Sequence, residues 1–87
     1  MNKEIKKVLE DMCFNVKEYT EVEFSNGCNF SNVIEVETGY KKYHYIIYFS
    51  SGELWVVDIN GAIVSRIIAK TKRSMFFQLG FVLGGLN

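Results

Sequence analysis

Three short turns, each containing a glycine, constrain the fold of this chain more than any other feature of its sequence. Residues 59–62 read Ile-Asn-Gly-Ala, and the Asn-Gly pair suits the two positive-φ positions of a type I′ hairpin turn. Ser-Gly at 51–52 reads as a similar two-residue loop, and Gly-Tyr at 39–40 reads as a type II′ turn with glycine first. Because loop length determines which residues pair, these turns predict an antiparallel meander in a defined register.

The three predicted registers divide the strands into the same two faces. They place Trp55 opposite Arg66 and Tyr48 opposite Trp55, and they place Ile34 opposite Tyr45. The first face is almost wholly apolar, so we expect it to face the core. Its members are Ile34, Val36, Tyr43, Tyr45, Ile47, Phe49, Leu54, Val56, Ile63 and Ile67, with the polar Asp58 and Ser65.

The second predicted face is polar at one end and aromatic or aliphatic in its middle. Two helices of about ten residues cover one face of a five-stranded sheet but hardly both, so we expect a partner to cover this one. Trp, Tyr and Arg are enriched at binding hot spots, and a cation–π contact is expected between Trp55 and Arg66. The predicted contact residues are Tyr48, Trp55, Val57 and Arg66. The whole face comprises Glu35, Glu37, Lys42, His44, Ile46, Tyr48, Trp55, Val57, Ile59, Val64 and Arg66.

The segments outside the meander predict two helices and a further strand. Residues 3–13 carry apolar side chains at helical spacing, which predicts an amphipathic helix with Asn2 as its N-cap. From Val16 the alternation has period two and predicts a strand that ends before a turn at 25–27, followed by a polar loop at 28–32. Residues 75–83 predict a short helix capped by Ser74, although their phenylalanines equally suit a last strand.

The predicted fold class is therefore α+β. An N-terminal amphipathic helix precedes an antiparallel meander of four to five strands, and a short C-terminal helix follows. With 87 residues, of which 48% are hydrophobic and 23% charged, the chain fits one small globular domain spanning 1–87. Neither a secretory signal nor a membrane-spanning run is recognisable, and Cys13 and Cys28 form at most one bridge, so we expect a cytoplasmic protein with free thiols and no membrane association.

Few residues are arranged for chemistry, so we do not expect an enzyme. His44 is the only histidine and is predicted to lie opposite Glu35, far from the cysteines, which argues against a metal site. Phosphate-binding glycine motifs are not recognisable in the sequence, and no cofactor is expected. Cys13 is predicted to be a small buried hydrophobe. Asp58, on the predicted core face, is expected to bind the hydroxyl of Tyr45.

Charge is distributed unevenly although ten basic residues balance ten acidic ones. Residues 18–37 contain five glutamates and no lysine or arginine, and residues 59–87 contain four basic residues and no acid. Zero net charge argues against a dedicated nucleic-acid binder. The cluster of Lys70, Lys72 and Arg73 nevertheless precedes a predicted helix N-terminus, where it would add to a phosphate site.

These patterns favour a small, non-catalytic protein-interaction module that forms a homodimer or binds a protein target through the second face. One alternative is an inhibitor of the phage anti-defence or anti-CRISPR type, which would block a basic partner through an acidic surface that includes Glu35 and Glu37. Another is a weak nucleic-acid or phosphate-ligand binder that uses Lys70, Lys72 and Arg73.

Overall fold

The alternating segments form the five strands of one antiparallel sheet, and a helix lies at each end of the chain. A computed structural model describes residues 1–86. The strands are hydrogen-bonded in sequence order, which makes β1 and β5 the edge strands and confirms the predicted α+β meander. The elements in chain order are α1 (Asn2–Asp11), β1 (Asn15–Glu23), β2 (Asn29–Gly39), β3 (Lys42–Tyr48), β4 (Glu53–Val57), β5 (Ile63–Ile68) and α2 (Lys72–Gly84).

The ends of α1 differ from the prediction. The helix begins at Asn2, so Asn2 is not its cap; the Asn2 side-chain amide instead donates to the backbone oxygen of Asn32 at 2.7 Å. At the other end, the Phe14 N–H donates to Leu9 O at 3.0 Å, which reverses the chain through Cys13 at φ +68°. Cys13 therefore occupies the left-handed position usual for glycine, and it is exposed rather than buried as predicted.

The C-terminal segment is a helix, which settles the choice between helix and strand. Its N-cap is Thr71, whose extended backbone lets the hydroxyl accept the N–H of Ser74 at 3.1 Å. The prediction of Ser74 as the cap was therefore wrong by three residues, because Ser74 already lies in the first helical turn. The predicted polar loop at 28–32 was also wrong, since β2 begins at Asn29.

The hairpin loops at 50–52 and 59–61 contain three residues rather than the predicted two. In each, the glycine has a φ near +90° and its N–H bonds back to the residue before the loop, as with Gly61 and the oxygen of Asp58 at 3.0 Å. The wider loop at 59–61 lets the Asp58 carboxylate accept the N–H groups of Asn60 at 2.8 Å and Ala62 at 3.0 Å. Asp58 is thus engaged in its own turn, and not with Tyr45 as predicted.

The extra residue in the loop at 50–52 shifts β3 by one position against β4, and a turn at 40–41 rather than 39–40 shifts β3 by one position against β2. Tyr48 pairs with Leu54 rather than Trp55, and Ile34 pairs with Ile46 rather than Tyr45. The turn after β2 consists of residues 40–41, and an irregularity between Glu37 and Gly39 accompanies it. Because neighbouring strand residues point to opposite faces, this slip exchanges the two predicted faces of β3.

The first core lies between the sheet and the two helices. The predicted core-face residues of β2, β4 and the end of β5 are confirmed here, whereas β3 contributes Ile46 in place of the predicted Tyr45 and Ile47. A bulge between Val56 and Val57 absorbs the register shift, so that Trp55 still pairs with Arg66. The buried residues of this core are Ile5, Leu9, Ile34, Val36, Ile46, Leu54, Val56, Ile67, Met75, Leu79 and Leu83.

The opposite face of the sheet is covered by the chain itself. Phe30 and Val33 are three residues apart, so a regular strand would place them on opposite faces of the sheet. Both belong to the same cluster because the alternation is interrupted at Asn32, whose φ is +57°. Residues 20–31, which we call the hairpin arm, thereby lie across this face. The second core contains Phe24, Val33, Ile47 and Val57, with Val22, Phe30, Tyr45, Phe49 and Trp55 at its margin. A partner is therefore not needed to cover this face.

The tip of the hairpin arm docks on the turn between β4 and β5. The Ser25 hydroxyl donates to the Asn60 side-chain oxygen at 3.1 Å, and the Asn26 N–H donates to the Asn60 backbone oxygen at 3.3 Å. Gly61 makes this contact possible, because a Cβ at that position would lie 2.6 Å from the Cβ of Phe24. Gly61 is therefore required both for its φ of +88° and for the approach of the arm.

Alanine substitutions at Gly61 and at a matched glycine distinguish the need for a positive φ from the need for space next to Phe24. Gly52 has a similar φ of +94° in a similar loop, but nothing lies within 4 Å of a Cβ built there. We expect Gly52→Ala to lower the free energy of unfolding by about 1–2 kcal/mol through backbone strain alone. Gly61→Ala should cost a further ~1–3 kcal/mol because it overpacks against Phe24. Urea denaturation measures both, and equal losses would contradict the docking of the arm.

Candidate interaction surface

Trp55 and Arg66 lie together at the margin of the second core, as their pairing predicted. The guanidinium carbon of Arg66 lies 5.7 Å from the centroid of the Trp55 ring, so the expected cation–π contact is present. Both side chains also bind the Glu53 carboxylate: Arg66 through an ion pair and Trp55 through its Nε1–H at 2.8 Å. The hydrogen bond from Arg66, followed by that from Trp55, holds the pKa of Glu53 below its usual value.

The other two residues predicted for this surface lie elsewhere. Tyr48 is half-buried and packs against the helix-covered core, on the opposite face of the sheet from Trp55. Val57 is 0% exposed and belongs to the interior of the second core. The slip in β3 therefore moves Tyr48 to the other face, whereas Val57 keeps its predicted face but is buried, and only Trp55 and Arg66 form a pair at the surface.

The acidic residues Glu35 and Glu37 are held by tyrosines. Glu35 Oε2 accepts the hydroxyl of Tyr45 at 2.9 Å and is 3.5 Å from that of Tyr19. Burial, and then the hydrogen bond to Glu35, raise the pKa of Tyr45 well above its usual value. The pKa of Tyr43 is also raised, chiefly by its hydrogen bond to Glu37. Glu35 and Glu37 thus serve to bind neighbouring hydroxyls of the sheet.

The basic residues Lys70, Lys72 and Arg73 are exposed around the start of α2. The ammonium group of Lys72 is paired with the Glu4 carboxylate of α1 at 3.0 Å. One of the N–H groups at the helix N-terminus already donates to the Thr71 side chain. The cluster therefore retains fewer free groups for a phosphate than its sequence indicates.

His44 is buried beside Val36 on the face that packs against the helices, and not beside Glu35 as predicted. Its Nδ1 lies 2.8 Å from the hydroxyl oxygen of Thr38, which is itself 1% exposed. Burial disfavours the charged imidazolium and lowers the pKa of His44, and the nearby Lys42 lowers it further. Among residues 1–86, no three His, Cys, Asp or Glu side chains converge to hold a metal ion.

A surface that the sequence patterns did not single out lies along β5 and α2. Phe77 and Phe81 are 76% and 80% exposed, one helical turn apart. They border a cleft of about 290 Å³ whose opposite side is formed by Ser65 and Ile67 of β5. Ile68, at the end of that strand, is 72% exposed. We call the outer edge of β5 together with Phe77 and Phe81 the β5–α2 surface.

The spacing of apolar residues in α2 could have predicted this surface from the sequence. Met75, Leu79 and Leu83 are buried at intervals of four residues and contact the core. Phe77 and Phe81 repeat at the same interval but are offset by two residues, which places them on nearly the opposite side of the helix. A helix that is apolar on both sides is normally buried on both sides, but the outer phenylalanines of α2 are exposed.

The two edges of the sheet differ in how they are protected against strand pairing. In β1 the charged residues Lys17, Glu18, Glu21 and Glu23 discourage another strand from docking. In β5 the only charged residue is Arg66, and its charge is compensated by Glu53. β5 is therefore the edge with less charge protection.

Comparison of the chain with protein-family models, with curated proteins and with solved structures found no match. Neither helix within residues 1–86 has the length and apolarity needed to cross a membrane.

The buried His44 predicts a pH dependence of stability. Its folded pKa lies below the unfolded value near 6.5, so the unfolded chain binds a proton first as the pH falls. His44 is neutral in both states at pH about 7.5, and its contribution is lost progressively below pH about 6.5. The melting temperature should therefore fall between pH about 7.5 and about 5.5, where few carboxylates titrate. In His44→Gln the fall should be smaller; an equal fall in both proteins would contradict this role.

Proposed function

We propose that this protein is a non-catalytic protein-interaction module that binds its partner through the β5–α2 surface. The observation that carries the proposal is the exposure of Phe77 and Phe81 beside a strand edge with little charge protection. Contiguous apolar patches of this kind mark interaction sites, because leaving them in water is unfavourable. Large aromatic side chains also supply much of the binding energy at protein interfaces.

The surface offers two complementary kinds of contact. The backbone of the edge strand β5 supplies hydrogen-bonding groups to an added strand, which gives affinity with little dependence on side chains. The phenylalanines of α2 flank that edge and supply apolar anchors beside the added strand. A partner with an extended segment and an apolar surface next to it therefore fits this site.

A second candidate is the inhibitor of a basic partner, of the phage anti-defence or anti-CRISPR type. Its support is the exposure of Glu18, Glu21 and Glu23 along β1, none of which takes part in an ion pair within residues 1–86. Glu35 and Glu37 support it less, because tyrosine hydroxyls engage them. Nucleic-acid or phosphate binding has the least support.

The proposal predicts that binding depends on the two outer phenylalanines and not on exposed aromatic area in general. Phe77→Ser/Phe81→Ser should weaken binding to the partner by about 30-fold or more, as expected for hot-spot residues. The partner in this measurement is either a second copy of the chain or a captured protein that has been purified. Tyr40→Ser is the matched control, since Tyr40 is 89% exposed at the turn between β2 and β3. Calorimetric titration gives the affinities, and thermal melting verifies that all three proteins are folded.

Two outcomes would count against this assignment. Unchanged affinity in Phe77→Ser/Phe81→Ser would remove the β5–α2 surface from the function. Loss of binding in Glu18→Lys/Glu21→Lys, with full binding retained by the phenylalanine variant, would favour the acidic edge and the inhibitor hypothesis instead.

A further inference from the structure

We infer that the partner at the β5–α2 surface is a second copy of this chain, related to the first by a twofold axis. β5 of each copy pairs antiparallel with β5 of the other, which joins the two sheets into one and brings the two α2 helices side by side. This inference rests on the proposed function, because it names the occupant of the same surface. Three features of the structure support this twofold arrangement.

The first feature is the area available for contact. A phenylalanine side chain presents about 150–250 Å², so Phe77 and Phe81 at 76% and 80% exposure offer roughly 300 Å² per copy. Two copies then bury roughly 600 Å² of ring surface, about half of the 1,200 Å² at the lower end of specific interfaces. Ile63, Val64 and Ile68, which are 49%, 42% and 72% exposed, and the strand edge itself supply the remainder.

The second feature is the balance of charge along β5. An antiparallel pair of identical strands brings the two Arg66 side chains close to each other, which would be unfavourable for bare cations. Each Arg66 is already paired with Glu53 of its own chain, so its positive charge is compensated before the two strands pair. An acidic foreign peptide would find no uncompensated cation along the strand, because Lys70 and Arg73 lie beyond its end.

The third feature is the difference between the two sheet edges. Pairing of β5 with β1 of another copy would set the charged edge of β1 against the phenylalanines of α2, and this heterologous contact would extend into a filament unless it closed into a ring. Pairing of β5 with β5 matches apolar surface with apolar surface and closes at two copies. The structure thus favours a closed dimer over a filament.

Sedimentation equilibrium from low to high micromolar protein tests this inference. The wild-type protein should reach twice the chain mass, and Phe77→Glu/Phe81→Glu should remain at the chain mass because it places charges in the contact. Tyr40→Glu, which adds a charge at a distant exposed aromatic residue, should dimerise like the wild type. In hydrogen–deuterium exchange, amides of Ile63–Ile68 should gain protection as dimer forms, whereas those of β1 should not.

Any of the following outcomes contradicts the proposed dimer. If the wild-type protein stays monomeric, the partner is not a second copy of the chain. The proposed function is then tested independently by the affinity of the Phe77→Ser/Phe81→Ser variant for a foreign partner. A dimer that survives Phe77→Glu/Phe81→Glu uses another surface. A dimer without added protection in Ile63–Ile68 excludes strand pairing.

Discussion

The contact between the tip of the hairpin arm and Gly61 is the interaction on which the rest of the structure depends. It forms because Gly61 presents no Cβ to Phe24, and because Asn32 interrupts the alternation of β2 and lets the arm lie across the sheet. Two aromatic side chains of the arm, Phe24 and Phe30, then complete a second core. A chain of 87 residues thereby covers one sheet face with helices and the other with its own hairpin.

This closure determines which parts of the molecule remain available for binding. With both faces covered, the open sites are the two edges of the sheet and the outer side of α2. Charge blocks strand pairing at β1, whereas β5 carries a single, compensated charge beside Phe77 and Phe81. The closure of both cores therefore leaves β5 and the outer side of α2 exposed next to each other.

Much of the fold could be predicted from the sequence, because apolar periodicity identified α1 and the alternating strands. The pairing of Trp55 with Arg66 was also predicted correctly, but only because the bulge at Val56 cancels the extra loop residue. The lengths of the loops at 50–52 and 59–61 could not be predicted, because Ser-Gly and Asn-Gly also suit two-residue turns. The extra residue at 50–52 and the turn at 40–41 together reversed the faces of β3 and moved Tyr48 away from Trp55. Phe77 and Phe81 were missed because their segment was apolar on all sides, which left helix and strand undecided.

The most direct test of this account is a nuclear Overhauser measurement on isotopically labelled protein. The side-chain protons of Phe24 should show strong contacts with the α protons of Gly61, and the Asn26 amide, which donates to Asn60, should exchange slowly with solvent. Absence of those contacts together with fast exchange at Asn26 would show that the arm does not dock and that the second face of the sheet is open, contrary to the account.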